Sequence, residues 1–273
     1  MNPAHAEPED RLTWRTAGRG VFIQLTVIHA LILRETRTRF GQSQLGYLWA
    51  VLEPVLWIGT ISAMYAFGGT TSKTGMTMIG FLGTGVITYE LFRDTQSRTM
   101  VAVSSNMPLL FYPQVQPLDM MLSRILLEYA TFFSVFAIIL GGEALWVGEL
   151  RIDDPLRVML GLIVAGALGG SLGSVFASLS VFSNSFDKFV SALMRPMMFI
   201  SGTFFAFEDV PNHVAEWFAW NPVLHVVEVV RDAWFPNYTS TRVNLWYPSL
   251  WVLGLSFLSL TLERVVRPRL QVS

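Results

Sequence analysis

The chain has 273 residues, of which 52% are hydrophobic and 14% charged, with a mean hydropathy of +0.46; this is too apolar for an ordinary soluble domain and points to a polytopic membrane protein. A formal net charge of -1 gives no reason to expect a nucleic-acid partner, because in such a chain the charges are segregated by loop and their sum hides it. The absence of cysteine excludes disulfides, thiol catalysis and cysteine-ligated metals.

Residues 1–20 are polar and read as a tail. An apolar run of about 13 residues follows, short of the roughly 20 needed to cross a hydrocarbon core. Phe22, Leu25, Ile28, Ile32 and Leu33 fall near helical spacing, so residues 21–46 read as an amphipathic interfacial helix with a basic linker. No small-residue cleavage site precedes Arg34, and the segment is expected to be retained. Arg34, Arg37 and Arg39 then sit at headgroup level. They either hold the topology against anionic lipid or meet an anionic substrate.

Six predicted spans follow, at 48–68, 77–92, 125–147, 158–182, 189–207 and 246–266. The first holds Glu53 beside Pro54. A carboxylate there is costly against lipid, so Glu53 is expected to face protein or water, either paired with an arginine across a helix contact or lining a polar path. Glu128 and Arg195 are further ionised residues inside spans. In the fourth span Gly161, Ala165, Gly169 and Gly173 recur every four residues, a smooth stripe that lets helix backbones approach closely, for packing within the subunit or for a hinge.

The loop 94–118 mixes polar residues with Met107, Leu109, Leu110, Phe111 and Tyr112, while Pro108, Pro113 and Pro117 cut it into short pieces. Its apolar side chains call for a protein partner or for the membrane interface. In the segment 208–242, Asn221 before Pro222 reads as an N-cap with proline in the first turn. On the helix that follows, His225, Glu228, Arg231 and Asp232 share one arc and apolar residues cover the rest, the pattern of a short helix at or dipping into the outer leaflet. No second ligand pair accompanies His225 and Glu228, and no metal is expected.

Placing both termini on one side gathers Arg11, Arg15, Arg19, Arg34, Arg37, Arg39, Arg93, Arg98, Arg124, Lys188, Arg195, Arg264, Arg267 and Arg269 there. Only Lys73, Arg151, Arg157, Arg231 and Arg242 fall opposite. The first side is therefore expected to be cytoplasmic. The chain carries no nucleotide-binding phosphate loop, no HExxH zinc motif and no dinucleotide fingerprint. With few ionised residues in the spans and no internal repeat, uphill transport points to a separate ATPase rather than to ion coupling.

Three blocks then stand out: LRETRTRFGQSQLGYLWAVLEP at 33–54, LLFYPQVQPLDMMLSRILLE at 109–128 and WNPVLHVVEVVRDAWFPNY at 220–238. In this order they resemble the KpsM-like permease subunits of capsular polysaccharide ABC exporters, in the wider type-2 exporter superfamily. The resemblance implies an all-α integral membrane protein with six transmembrane helices, an N-terminal amphipathic helix and short periplasmic re-entrant helices before the last span. It implies a homodimer in the bacterial inner membrane, two KpsT-like ATPase subunits that bind ATP and magnesium, and a KpsE-like periplasmic co-polymerase. The cargo would be a lipid-linked acidic polysaccharide, and this chain would hold no cofactor and perform no catalysis.

On that resemblance the chain divides into a tail at 1–20, a gate helix and linker at 21–46, a transmembrane domain at 47–266 and a tail at 267–273. Arg34, Arg37, Arg39, Tyr47, Trp49, Glu53, Glu128 and Arg195 would line the substrate entrance and tunnel. Asn106, Met107, Pro108, Leu109, Leu110 and Phe111 would couple to the ATPase. Trp217, Trp220, Asn221, Pro222, His225, Glu228 and Arg231 would belong to the exit helices. The rival readings are an O-antigen or teichoic acid exporter, a small-molecule type-2 exporter and a membrane scaffold without an ATPase.

Overall fold

The computed structural model describes residues 14–40, 45–67, 76–148, 152–183 and 185–270. The described residues form helices α1 (Trp14–Phe40), α2 (Leu45–Phe67), α3 (Met78–Met100), α4 (Pro117–Val147), α5 (Pro155–Ser180), α6 (Phe186–Met197), α7 (Asn212–Phe218), α8 (Pro222–Trp234) and α9 (Trp246–Leu270), with a 3-10 segment at Ser104–Phe111 between α3 and α4.

The helix starts are set by local chemistry. Thr77 accepts the Gly80 amide at 3.1 Å, Asp154 accepts that of Arg157 at 2.9 Å, and Asn221 accepts that of Val223 at 3.0 Å. Each such cap contributes about 1 kcal/mol. Pro155 and Pro222 sit at the next position, where a missing N–H costs nothing. Asp119 reaches back to the Gln116 amide at 2.9 Å to start α4. That helix ends on Gly148, whose φ of 79° an L side chain rarely adopts.

Among the described residues four helices are long and apolar enough to cross a membrane, namely α2, α4, α5 and α9. They correspond to the first, third, fourth and sixth predicted spans. The spanning window of α5 is 61% buried against 11% for those of α2 and α9, so α5 is central and the other two are peripheral. Its neighbour at the centre is α3. A Cβ on Gly173 would lie 2.5 Å from the Gln96 carbonyl oxygen, and one on Gly169 would strike that of Phe92. The small stripe therefore packs within the subunit, bringing α5 onto the α3 backbone. Gly161 extends the same face to Val230 of α8.

Two expectations are corrected. The second predicted span ended at Phe92, whereas α3 runs to Met100. Thr95, Gln96 and Thr99 stay helical because the α5 glycines leave room to bury them. The fifth, 189–207, is helical only as far as Met197, and the chain then turns through residues 198–206. Pro196 lies in its last turn and Gly202 takes a φ of 74°.

The helix expected at or dipping into the outer leaflet, α8, is enclosed by protein on all sides. Every residue from Val223 to Trp234 is buried, with Val226, Val230, Ala233 and Trp234 in a core shared with Val86, Phe136 and Leu162. Its polar arc is buried because internal partners meet it.

Candidate functional site

Two charged lattices and one exposed knob account for most of the residues singled out in the sequence. The first lattice joins α1 to α4. Gln24 bonds Asp119, Arg124 pairs with Glu35 at 3.3 Å, and Arg39 pairs with Glu128 at 2.5 Å. Partners rise together in number along both helices, so α1 and α4 run in the same direction where they touch. Arg98, in the last turn of α3, places Nε 2.9 Å from the same Glu128 oxygen. Glu128 is 1% exposed, and two guanidinia offset the cost of burying its charge.

The lattice continues into the 94–118 loop. Arg34 donates to the Asn106 side-chain oxygen at 2.9 Å, Arg124 donates to the Arg98 carbonyl at 2.8 Å and to Ser105 at 3.0 Å, and Asn106 itself is buried with its amide on the Ala102 carbonyl at 2.9 Å. Thus Arg34, Arg39, Glu128 and Asn106, named separately from the sequence, come together. Arg37 is exposed. Trp49 is 60% exposed, and the Tyr47 side chain lies outside the described residues.

Among the described residues no ion pair joins Glu53 to an arginine. Glu53 is exposed. It is Pro54 beside it that is buried. Sequence spacing could not foresee this, because the face α2 turns inward depends on its packing against α3.

The 3-10 segment is anchored on one side and free on the other. Met107, Leu109 and Leu110 pack, as Leu31 of α1 does, against a buried cluster that includes Ala102, Val103 and the α4 residues Met120 and Met121, and Pro108 is exposed. Phe111 is 89% exposed and stands out from this base.

The second lattice encloses α8. Glu228 and Arg231, both fully buried, form an ion pair one turn apart. Arg231 donates to the Gly202 carbonyl at 2.9 Å and the Phe205 carbonyl at 3.2 Å, and its guanidinium lies 4.0 Å from the centre of the Phe81 ring. Glu228 accepts the Phe207 amide at 3.2 Å and the Tyr238 hydroxyl at 2.6 Å. Buried backbone that leaves a helix must find partners inside the protein, and this pair supplies them for the carbonyls of Gly202 and Phe205 and the amide of Phe207. Asp232 pairs with Arg157 at 2.5 Å.

The ring of His225 meets the Ala219 carbonyl at 2.8 Å through Nε2 and the Asn244 amide at 3.5 Å through Nδ1, which fits the neutral tautomer protonated on Nε2. Asn221 also donates to Ser201 at 2.9 Å, while Pro222 opens α8. Trp217 and Trp220 are 80% and 75% exposed. The residues expected at the exit thus divide into a buried clamp and two exposed indoles.

The run GGSLG, Gly169 to Gly173, has the G-x-S-x-G spacing of a hydrolase nucleophile turn, which needs a strand-turn-helix setting. Here it lies inside α5, and Ser171 bonds the Leu168 carbonyl at 3.1 Å. Helix packing, not catalysis, explains those glycines. Among the described residues no group of three or more His, Cys, Asp or Glu is placed to hold a metal ion.

Residues 26–235 match the family described as ABC-2 type transporter. The chain is 31% identical over 250 residues to the polysialic acid transport protein KpsM of Escherichia coli, covering 91% of this chain and 96% of that protein. It is 29% identical over 226 residues to the capsule polysaccharide export inner-membrane protein CtrC of Neisseria meningitidis serogroup B, covering 82% and 85%. To the capsule polysaccharide export inner-membrane protein BexB of Haemophilus influenzae it is 28% identical over 257 residues, covering 92% and 93%.

Proposed function

The chain belongs to the ABC-2 type transporter family, and from that premise we propose that it is the permease subunit of an exporter that carries capsular polysaccharide across the inner membrane. One observation carries this reading: relatives from three organisms, each named for transport of polysialic acid or export of capsule polysaccharide, align over 82% or more of the chain. The subunit is not itself an enzyme. ATP and magnesium belong to a separate nucleotide-binding subunit, which docks against the loop around Phe111, and this chain holds no cofactor.

Two copies form the translocation path for a lipid-linked acidic polysaccharide, with a KpsE-like co-polymerase on the far side. The distribution of Arg and Lys supports cytoplasmic termini. The apolar face of α1, where Val21, Phe22 and Leu25 are exposed, supports an interfacial placement for that helix. Its lattice to Asn106 supports a mechanical link between entrance and coupling loop, through which nucleotide-driven movement reaches α1 and α4. Arg37 is the entrance arginine that faces outward from this lattice.

Deletion of the gene should strip the cell surface of capsule while polysaccharide accumulates inside, and the intact gene should restore export. A deletion strain that keeps its full capsule overturns the reading.

A further inference from the structure

Arg195, near the end of α6, belongs to neither lattice. It is exposed, and among the described residues no ion pair holds it. With Arg93, Gln96 and Ser97 of α3 and Ser191 and Met194 of α6, it lines a cavity of about 210 Å³. The lining contains two guanidinia and no carboxylate. Arg93 is already engaged, with Asp94 at 3.1 Å and Glu90 at 3.7 Å, so Arg195 is the cation left over.

The cavity is also built rather than incidental. Tyr89 donates to the Met194 carbonyl at 2.6 Å, and Val190 and Met194 pack with Tyr89, Phe92 and Leu168. This fixes the face of α6 against α3 before any ligand arrives, which lowers the ordering cost of binding. Gln96 is 1% exposed and its amide reaches Met100 Sδ at 3.9 Å, a weak acceptor that leaves donor capacity for a better one. At ~30 Å³ per water the space equals roughly seven waters, room for one oxyanion group and part of its hydration shell. Guanidinium groups match the planar or tetrahedral oxygens of such a group, and bind it in bidentate fashion.

We propose that this cavity seats an oxyanion, a phosphodiester or a sugar carboxylate, at the lipid-linked end of the exported chain; the site rests on the exporter reading above. Met194 supplies the apolar wall for the uncharged part of that end.

The test uses the complete chain in phosphatidylcholine nanodiscs with two probes, phosphatidylglycerol mixed into the disc and a short oligosialic acid added in solution. Binding of at least one probe is expected, and Arg195→Gln and Arg93→Gln should each weaken it about tenfold or more, with Arg195→Lys in between. Loss confined to the lipid probe assigns the phosphodiester, and loss confined to the sugar assigns the carboxylate. Probe binding unchanged by Arg195→Gln overturns the site, as does an Arg195→Gln protein that falls from dimer to monomer while binding persists. If only the site is wrong, Arg195→Gln restores full capsule to the deletion strain; if the exporter reading is wrong, that strain never lost it.

Discussion

At the scale of single residues, the fold depends on where charge is buried. Arg231 is the clearest case, because its guanidinium neutralises Glu228 and satisfies the carbonyls of Gly202 and Phe205 at once. Removing one partner of a buried pair leaves the other uncompensated and costs about 3–5 kcal/mol. Arg231→Met should therefore lower the thermal unfolding midpoint sharply, or leave little folded protein on size-exclusion chromatography. Adding Glu228→Gln removes the orphaned charge and should recover part of the loss. Equal behaviour of the single and double variants would show that the pair does not act as a unit. Such roles were only partly legible: Glu128 is visible in the sequence as a carboxylate within a span, but its partners Arg39 and Arg98 are 89 and 30 positions away. No spacing rule joins them, because the packing of α1 and α3 around α4 does.

Among elements, the four strongly apolar helices announced themselves, since length and hydropathy are local properties. The expectations corrected for α3 and α6 depend on neighbours. The polar end of α3 remains helical because α5 presents glycines to it, and where residues 198–206 leave the helix Arg231 meets the carbonyls of Gly202 and Phe205. The glycine stripe could be read as close packing from its four-residue period, but only the structure names what it packs on. Gly173→Ala places a Cβ 2.5 Å from the Gln96 carbonyl oxygen, and a backbone atom cannot swing aside as a side chain does. The two central helices must separate, at a cost of about 1–3 kcal/mol. In α9, Gly254 has no atom within 4 Å of the position its Cβ would take, so Gly254→Ala should be neutral or stabilise by about 0.5–1 kcal/mol through helix propensity. Thermal unfolding of both variants in the same detergent checks the contrast. Similar midpoints would mean that α3 and α5 are not held as tightly as the glycines imply.

For the whole molecule, the question is how a force applied outside the membrane reaches its helices. In the 3-10 segment an apolar knob projects from a base that is itself tied into the fold: Met107, Leu109 and Leu110 pack against the cluster that holds Met120 and Met121 of α4, and Asn106 is bonded to Arg34 of α1. A partner that grips Phe111 therefore moves a segment already attached to α1 and α4. The two apolar neighbours should not respond alike to a charge. Leu110→Asp would set a carboxylate against the apolar cluster that holds Met120 and Met121, so it disturbs this subunit as well as any partner. Phe111 is 89% exposed, and Phe111→Asp removes the knob while leaving its base intact. The Phe111→Asp protein should reach the membrane at normal levels and keep the wild-type unfolding midpoint, yet release the ATPase subunit on affinity purification and lose capsule export. An ATPase that remains bound at wild-type stoichiometry would separate Phe111 from docking, whereas loss of the ATPase together with a lowered midpoint would trace the defect to folding of the loop. Only release of the ATPase from a stably folded permease places the contact at the projecting ring.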